Sequence, residues 1–302
     1  MAATPGPILR FGPVAVHLGE KSGKYPDGNQ VLVRGADLRV AFDTPQVANR
    51  IGPDFDGVDL VILGHVHEDH MAGLHRLPQA GVQVHQADLA AAQSWVGLSA
   101  HYGYPAPVLA ALKAQIEQDF NYQPRPDATA FADGATWDLG GGVGIRAQHL
   151  PGHTAGHCAL LVDSVGLAFI GDIDLSGFGP YYGDATSSLA QFRQTLKAVA
   201  GLDARVWVTS HHRAVITDRA DFLDQLAAFA GKIDERTDRL LALLAPGPQS
   251  LDALVRQGLL YPPGHAALWV DCAERRSIGL HLDELLTDGR VRRLDDGRFL
   301  RV

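Results

Sequence analysis

Cysteine is scarce in this chain. Cys158 and Cys272 are the two in 302 residues, and they lie far apart in sequence. A disulfide framework is therefore not indicated, and a reducing compartment fits. Cys158 falls in the apolar run Cys158-Ala159-Leu160-Leu161-Val162, where a buried thiol is expected rather than a metal ligand. Positive charge is also short: 26 Lys and Arg stand against 34 Asp and Glu, a formal net charge of −8. That excludes a global basic field for nucleic acid, though not a local patch. No run of about 18 apolar residues occurs, so no membrane span is expected. Met1 to Arg10 lacks the basic-then-apolar pattern of a secretory leader. A soluble, cytoplasmic chain is expected. No Gly-x-Ser-x-Gly elbow is present, so the sequence does not point to a serine nucleophile.

What is present is a core and a cluster of ligand-type residues. At 46% hydrophobic with 33 glycines, the chain can bury one large domain plus a small one and turn often. Val58 to Leu63 is apolar apart from Asp59 and reads as a buried strand. It stops at Gly64 and delivers His65, His67, Asp69 and His70. In extended backbone His65 and His67 point the same way, so two imidazoles can converge on one metal. Asp69 and His70 follow where the chain turns, a direction suited to a second metal nearby. Imidazoles with a carboxylate make the ligand set of a hydrolytic zinc centre, and a strand end is where α/β proteins place chemistry.

The pattern His-x-His-x-Asp-His after an apolar strand resembles the metallo-β-lactamase superfamily. That family adds a His, an Asp and a last His, each after a later strand. Leu150-Pro151-Gly152-His153, Phe169-Ile170-Gly171-Asp172 and Val206-Trp207-Val208-Thr209-Ser210-His211 supply them in that order. The resemblance covers roughly residues 8 to 215. It implies a four-layer αββα sandwich of the α+β class. It also implies His65, His67 and His153 on one metal, Asp69, His70 and His211 on a second, and Asp172 bridging. Two divalent ions are implied, zinc first, with iron or manganese also suited to such ligands. A metal-bound hydroxide would attack the substrate, with Asp69 orienting it and shuttling its proton.

Around these motifs, residues 8–17 read as an edge strand, and Gln30 to Arg34 with Leu38 to Phe42 as a hairpin. Asp43 follows; it either partners a histidine ligand or caps the next turn. Met71 to Leu77 and Asp88 to Val96 read as helices, His75 as solvent-facing and His85 as structural. Residues 97–126 look like an insertion, an aromatic loop followed by a helix over Val108 to Phe120, and a lid over the metals or simple packing would both explain it. The loop Asp174 to Asp184 carries Tyr181 and Tyr182. Either hydroxyl could donate to a developing oxyanion, or both rings could pack. His212, next to the last ligand, could contact substrate or leaving group. Ser187 to Gly201 and Asp221 to Leu244 read as helices.

Pro246-Gly247-Pro248 breaks the pattern, and the remainder resembles a small winged-helix domain: Ser250 capping Leu251 to Gln257, a helix over Ser277 to Asp288, and a hairpin turning at Asp295-Asp296-Gly297. The expected division is a metal hydrolase over 1–230 and a helical linker with this tail over 231–302. Seven arginines from Arg275 onward meet six acids counted from Glu274. That near-neutral balance favours docking or homodimerisation over nucleic-acid contact by Arg290, Arg292 and Arg293. The resemblance implies hydrolysis of an ester, thioester or lactone of a small molecule, as in the glyoxalase II and lactonase-like branches. An endoribonuclease or phosphodiesterase is the alternative, and a mononuclear iron dioxygenase a weaker one.

Overall fold

The structure, a computed structural model, describes residues 6–302. Seven strands form one sheet in chain order: β1 (Ile8–Phe11), β2 (Val14–His17), β3 (Gln30–Arg34), β4 (Arg39–Phe42), β5 (Leu60–Leu63), β6 (Gly81–His85) and β7 (Thr129–Phe131). Six more form a second sheet: β8 (Thr136–Asp138), β9 (Gly144–His149), β10 (Cys158–Val162), β11 (Leu167–Phe169), β12 (Val206–Val208) and β13 (Val215–Ile216). Strands β4 to β7 run parallel, as do β11 and β12.

Each strand turns alternate side chains to opposite faces. Phe42, Ile62, Leu160 and Phe169 enter the core between the sheets, while Ala41, Val61, Leu63, Ala159 and Leu161 face outward. Both outward faces are apolar and require cover. On the first sheet it comes from α1 (Pro53–Asp56), α2 (Leu89–Gln93), α3 (Trp95–Tyr102) and α4 (Ala106–Asp119). On the second it comes from α5 (Leu189–Ala200) and α6 (Arg219–Leu244), whose Phe222 stacks on Trp207 at 4.3 Å. The result is the expected αββα sandwich.

A smaller core joins the end of α6 to α7 (Leu251–Gln257), α8 (Val270–Thr287) and the antiparallel pair β14 (Val291–Arg293) and β15 (Phe299–Arg301). Ser250 caps α7 by accepting from the Ala253 N–H. The helix–helix–hairpin order is the expected one, but α8 begins at Val270, ahead of Ser277. Ser277 is buried within the helix, and its hydroxyl donates to the Tyr182 carbonyl. Helix α6 runs unbroken across residues 230 and 231.

Three other segments depart from expectation. Residues 8–17 are a hairpin, not one strand, because Gly12 adopts φ 55° and reverses the chain. Met71 to Leu77 reduces to one 3₁₀ turn over Leu74–Arg76. The aromatic loop after residue 97 is largely helix α3: the Ser94 side chain accepts from the Gly97 N–H at its start, and Gly103 closes it at φ 69°. Gly97 is no breaker there. A Cβ at that position would meet the Ala90 carbonyl oxygen at 1.8 Å, so glycine permits the tight α2–α3 approach. Leu98, Leu112, Ile116 and Phe120 then belong to the outer core of the first sheet. His75 is exposed, and His85 is buried in a stack with His149 at 4.0 Å. Among the described residues, no helix is long and apolar enough to cross a membrane.

A candidate metal centre

The loops that leave the C-terminal ends of β4, β5, β9, β11 and β12 meet along one edge of the sandwich. Backbone hydrogen bonds lace them together: Cys158 N–H donates to Gly64, Ser210 N–H to Gly171 and Asn29 N–H to Ser210. Gly152 is required at this junction, since a Cβ there would lie 2.4 Å from the Phe192 Cα of α5.

Seven side chains converge at that edge. His153 Nε2 lies 3.2 Å from His65 Nε2 and 3.1 Å from His67 Nδ1. Asp172 Oδ2 stands 3.3 Å from His153 Nε2 and 3.9 Å from His65 Nε2. Its other oxygen, Oδ1, lies 3.1 Å from His70 Nε2 and 3.6 Å from His211 Nε2. Asp69 Oδ2 is 3.0 Å from His211 Nε2 and 3.6 Å from His70 Nε2. Two donor groups result, His65–His67–His153–Asp172 and Asp69–His70–His211, with Asp172 reaching both.

The ring nitrogens facing away from the cluster reveal how it is set. His67 Nε2 donates to Asp184 Oδ2 at 2.8 Å, and His70 Nδ1 to Asp43 Oδ2 at 2.8 Å. His153 Nδ1 donates to the Tyr181 carbonyl at 3.0 Å, and His211 Nδ1 to the Gly23 carbonyl at 2.8 Å. Four imidazoles thus spend their N–H outward, and their lone pairs face one another. Lone pairs facing at this range repel unless a proton or cation lies between them. Consistent with that, His70 Nε2 and Asp172 Oδ1 are buried with no properly angled hydrogen-bond partner. The donor set fits divalent cations: imidazoles and carboxylates, oriented by outer hydrogen bonds.

Electrostatics agree. Burial disfavours charge on His70, yet Asp69, Asp172 and Asp43 outweigh it there and hold that imidazole well above its ordinary value. His211, opposed by burial but facing Asp172 and Asp69, is raised to about 9. His67 is raised to about 9 as Asp184 overcomes burial. Burial would raise Asp172, but His70, His211 and His65 hold it well below the usual carboxylate range. Carboxylates that stabilise this much positive charge on imidazoles would stabilise a cation among them in the same way.

Asp43, left open between two roles by the sequence, partners His70 and also accepts from the Gly64 N–H at 2.7 Å. Tyr181 lines the adjoining cavity, with its hydroxyl on Asp184 Oδ1 at 3.3 Å. Tyr182 does not reach it: the ring is fully buried, and the hydroxyl sits between Arg236 and His281 Nε2, 2.8 Å from the latter. His212 lines the cavity, its Nε2 3.6 Å from Asp174 Oδ2.

Three participants escaped sequence reasoning. Asp184 orients His67. Asp88, fully buried, accepts from Val66 N–H, Gly156 N–H and the Thr154 hydroxyl, fastening the first ligand loop to the His153 loop. His157 accepts from the Asp172 N–H and donates to the Leu150 carbonyl; burial depresses its pKa to about 3, keeping it neutral for that task. His157 had a signal, standing four residues after His153, whereas Asp88 had none beyond its residue type.

The centre opens into a cavity of about 570 Å³. Its walls come from the Lys24–Tyr25 loop, from Tyr102, Tyr104 and Leu112 of the α3–α4 region, from the Asp174–Asp184 loop, and from Tyr261, His265 and Trp269 between α7 and α8.

Comparison with known proteins accords with this geometry. A hydroxyacylglutathione hydrolase of Acidiphilium cryptum is 28% identical over 218 residues, 72% of this chain and 70% of the relative. A metallo-beta-lactamase family protein of Thermus thermophilus superposes with a TM-score of 0.68 at 24% identity, covering 99% of this chain and 97% of its own. A beta-lactamase domain protein of Burkholderia ambifaria gives 0.68 at 17% identity, over 98% and 93% of the two chains. The sequence profile of the metallo-beta-lactamase superfamily matches residues 42–211, more than half of the chain and the whole span from β4 to the last histidine of the cluster, so the protein belongs to that superfamily.

Proposed function

We propose that the protein is a dinuclear zinc hydrolase that cleaves an ester, thioester or lactone bond of a small molecule. The observation that carries this reading is the outward N–H of four histidines, which leaves their lone pairs directed at two adjacent positions spanned by Asp172. In this assignment His65, His67 and His153 would hold one ion and Asp69, His70 and His211 the other, with Asp172 within reach of both. Divalent ions there would supply Lewis acidity toward a carbonyl oxygen and bring the pKa of water into the neutral range.

The chain's own residues do the rest. The Asp69 carboxylate borders the cavity and can orient a water and take its proton. Asp69 can then pass that proton to the departing alcohol or thiol, and His212, beside Asp174 at the cavity wall, is a contact for the substrate or that leaving group. Tyr181, its hydroxyl engaged by Asp184, serves as wall and support for His153 rather than as a free donor. The hydrolysis of hydroxyacylglutathione named for the Acidiphilium relative supports an acyl bond as the target. A polyanion would meet Glu68, Asp174 and Asp184 in the cavity, with Lys24 the one Lys or Arg among the described lining residues. We read the winged-helix-like tail accordingly, as a part that serves the cavity through Tyr261 and Trp269 rather than one that binds nucleic acid.

The test is elemental analysis of the purified protein with turnover on a thioester, a lactone, a phosphodiester and RNA. About two zinc ions per chain with acyl hydrolysis is the expected result. One iron per chain without hydrolysis, or cleavage confined to RNA, would overturn it.

A further inference from the structure

Two of the carboxylates that border the cavity, Glu68 and Asp184, are occupied by tyrosine hydroxyls. Glu68 accepts the hydroxyls of Tyr25 (3.1 Å) and Tyr102. Asp184 accepts those of Tyr104 and Tyr181 (3.3 Å), besides the His67 N–H. Four tyrosine hydroxyls are thereby consumed by two carboxylates, and what the tyrosines present to a ligand is ring surface. Tyr102 and Tyr104 stack on each other at 5.5 Å, and Tyr102 stacks on His67 at 5.9 Å, so this surface begins at the metal ligands. It continues outward over Tyr25, whose ring meets Trp269 edge-on at 6.4 Å, and over Phe178 against Tyr261 at 5.3 Å. Phe178 is 37% exposed and Tyr25 39%, an apolar rim facing water. Against this stands one flexible cation, Lys24.

We infer that the substrate carries an uncharged hydrocarbon portion of several carbons or an aromatic ring next to the scissile bond, and that a glutathione carrier is not what the cavity is built to hold. This rests on the acyl-hydrolase reading above. Glutathione brings two carboxylates and an ammonium. Two carboxylates require fixed donors or cations, and buried charge without such partners is strongly disfavoured. A hydrocarbon group needs only ring faces. Each methylene taken out of water favours the bound state by about fourfold, so chain length should be read directly in the kinetics until the cavity is filled.

The experiment uses the full chain and two homologous ester series, one lengthened on the acyl side and one on the alcohol side, together with a hydroxyacylglutathione thioester. Binding of uncharged fatty amides of matched length to the metal-stripped protein is measured in parallel by calorimetry. The expected result is kcat/KM rising by about two- to fourfold per methylene in at least one series, amide affinity rising in step, and the glutathione thioester the poorest substrate. In Trp269→Ala the preference for long over short esters should fall by about tenfold or more, and the amide affinity with it. Kinetics flat in chain length with the glutathione thioester preferred would overturn the inference and leave the hydrolase reading intact. Tight, length-dependent amide binding with no hydrolysis of any ester would sustain the inference and remove that reading.

Discussion

Asp184 and Asp43 offer a paired perturbation, because each holds the outward N–H of one histidine in a different donor group. Consider Asp184→Asn. The carboxylate now accepts three donors: His67 Nε2–H, Tyr104 O–H and Tyr181 O–H. An asparagine of the same shape keeps one acceptor oxygen and gains an NH₂. If the NH₂ faces His67, the imidazole shifts its proton to Nδ1, and the lone pair that faces His65 and His153 is lost. If the oxygen faces His67, the tautomer survives but the bond is no longer charge-assisted. A hydrogen bond to a charged group contributes about 1.5–3 kcal/mol, and removing such outer partners of metal ligands typically costs about 10- to 100-fold in affinity. Competition titration with a chromophoric zinc chelator reads this directly. One of two zinc affinities should weaken by about 10- to 100-fold in Asp184→Asn and the other in Asp43→Asn, since His67 and His70 serve different groups. Unchanged affinities in both variants, or the same site weakened in each, would refute the reasoning from tautomers.

Metal removal should destabilise the fold. Saturating zinc at about 100 times its dissociation constant contributes about 2.7 kcal/mol per site, so chelation should lower Tm by several degrees and zinc should restore it. His281 should give an acid-dependent stability. Burial, reinforced by Arg236 and Arg193, depresses its folded-state pKa to about 3. The folded chain therefore binds fewer protons than the unfolded one. Its stability is retained above about pH 6.5 and falls by roughly 1.4 kcal/mol per pH unit below it, toward pH 3; denaturant titrations of wild type and His281→Gln should differ by that slope. Phe222→Ala, which removes the ring stacked on Trp207 in a fully buried site, should cost about 3–5 kcal/mol, visible in the urea midpoint.

The sequence carried the strand ends and the ligand motifs because both are local. Val58 to Leu63 is an apolar run, and the residues that follow it need no distant partner to be noticed. The αββα order came with the family resemblance those motifs carry, and the structure supplies its physical reason, with Ile62 turned inward and Val61 outward so that both faces of the sheet need cover. Helix α3 was obscured because it runs through Gly97 into a stretch that reads as an aromatic loop, and the close approach of Gly97 to Ala90 is visible only in three dimensions. Asp184 sat inside a loop already singled out for its tyrosines, yet its link to His67 spans 117 residues and has no periodic signature. Tyr181 and Tyr182 were indistinguishable by type, and backbone direction alone separates them. The wall formed by Tyr261 and Trp269 was invisible for a similar reason: nothing local says that a turn between two tail helices lines the same cavity as the histidine cluster.

Helix α6 is 26 residues long, roughly 39 Å at 1.5 Å per residue. Phe222, Leu226, Phe229 and Ile233 belong to the core beneath the second sheet, while Leu240, Leu241 and Leu244 belong to the tail core. Between them Arg236 donates to the Phe178 and Pro180 carbonyls, and Thr237 accepts from His281 Nδ1. The helix is therefore a shaft shared by two hydrophobic clusters, with the loop that carries Tyr181 and Asp184 fastened at Arg236, between the two. Fraying at the tail would propagate along continuous backbone hydrogen bonds toward the edge that carries the histidine cluster. Amide protons on both halves of α6 should exchange with solvent through one common opening, which makes the tail and the metal centre a single cooperative unit.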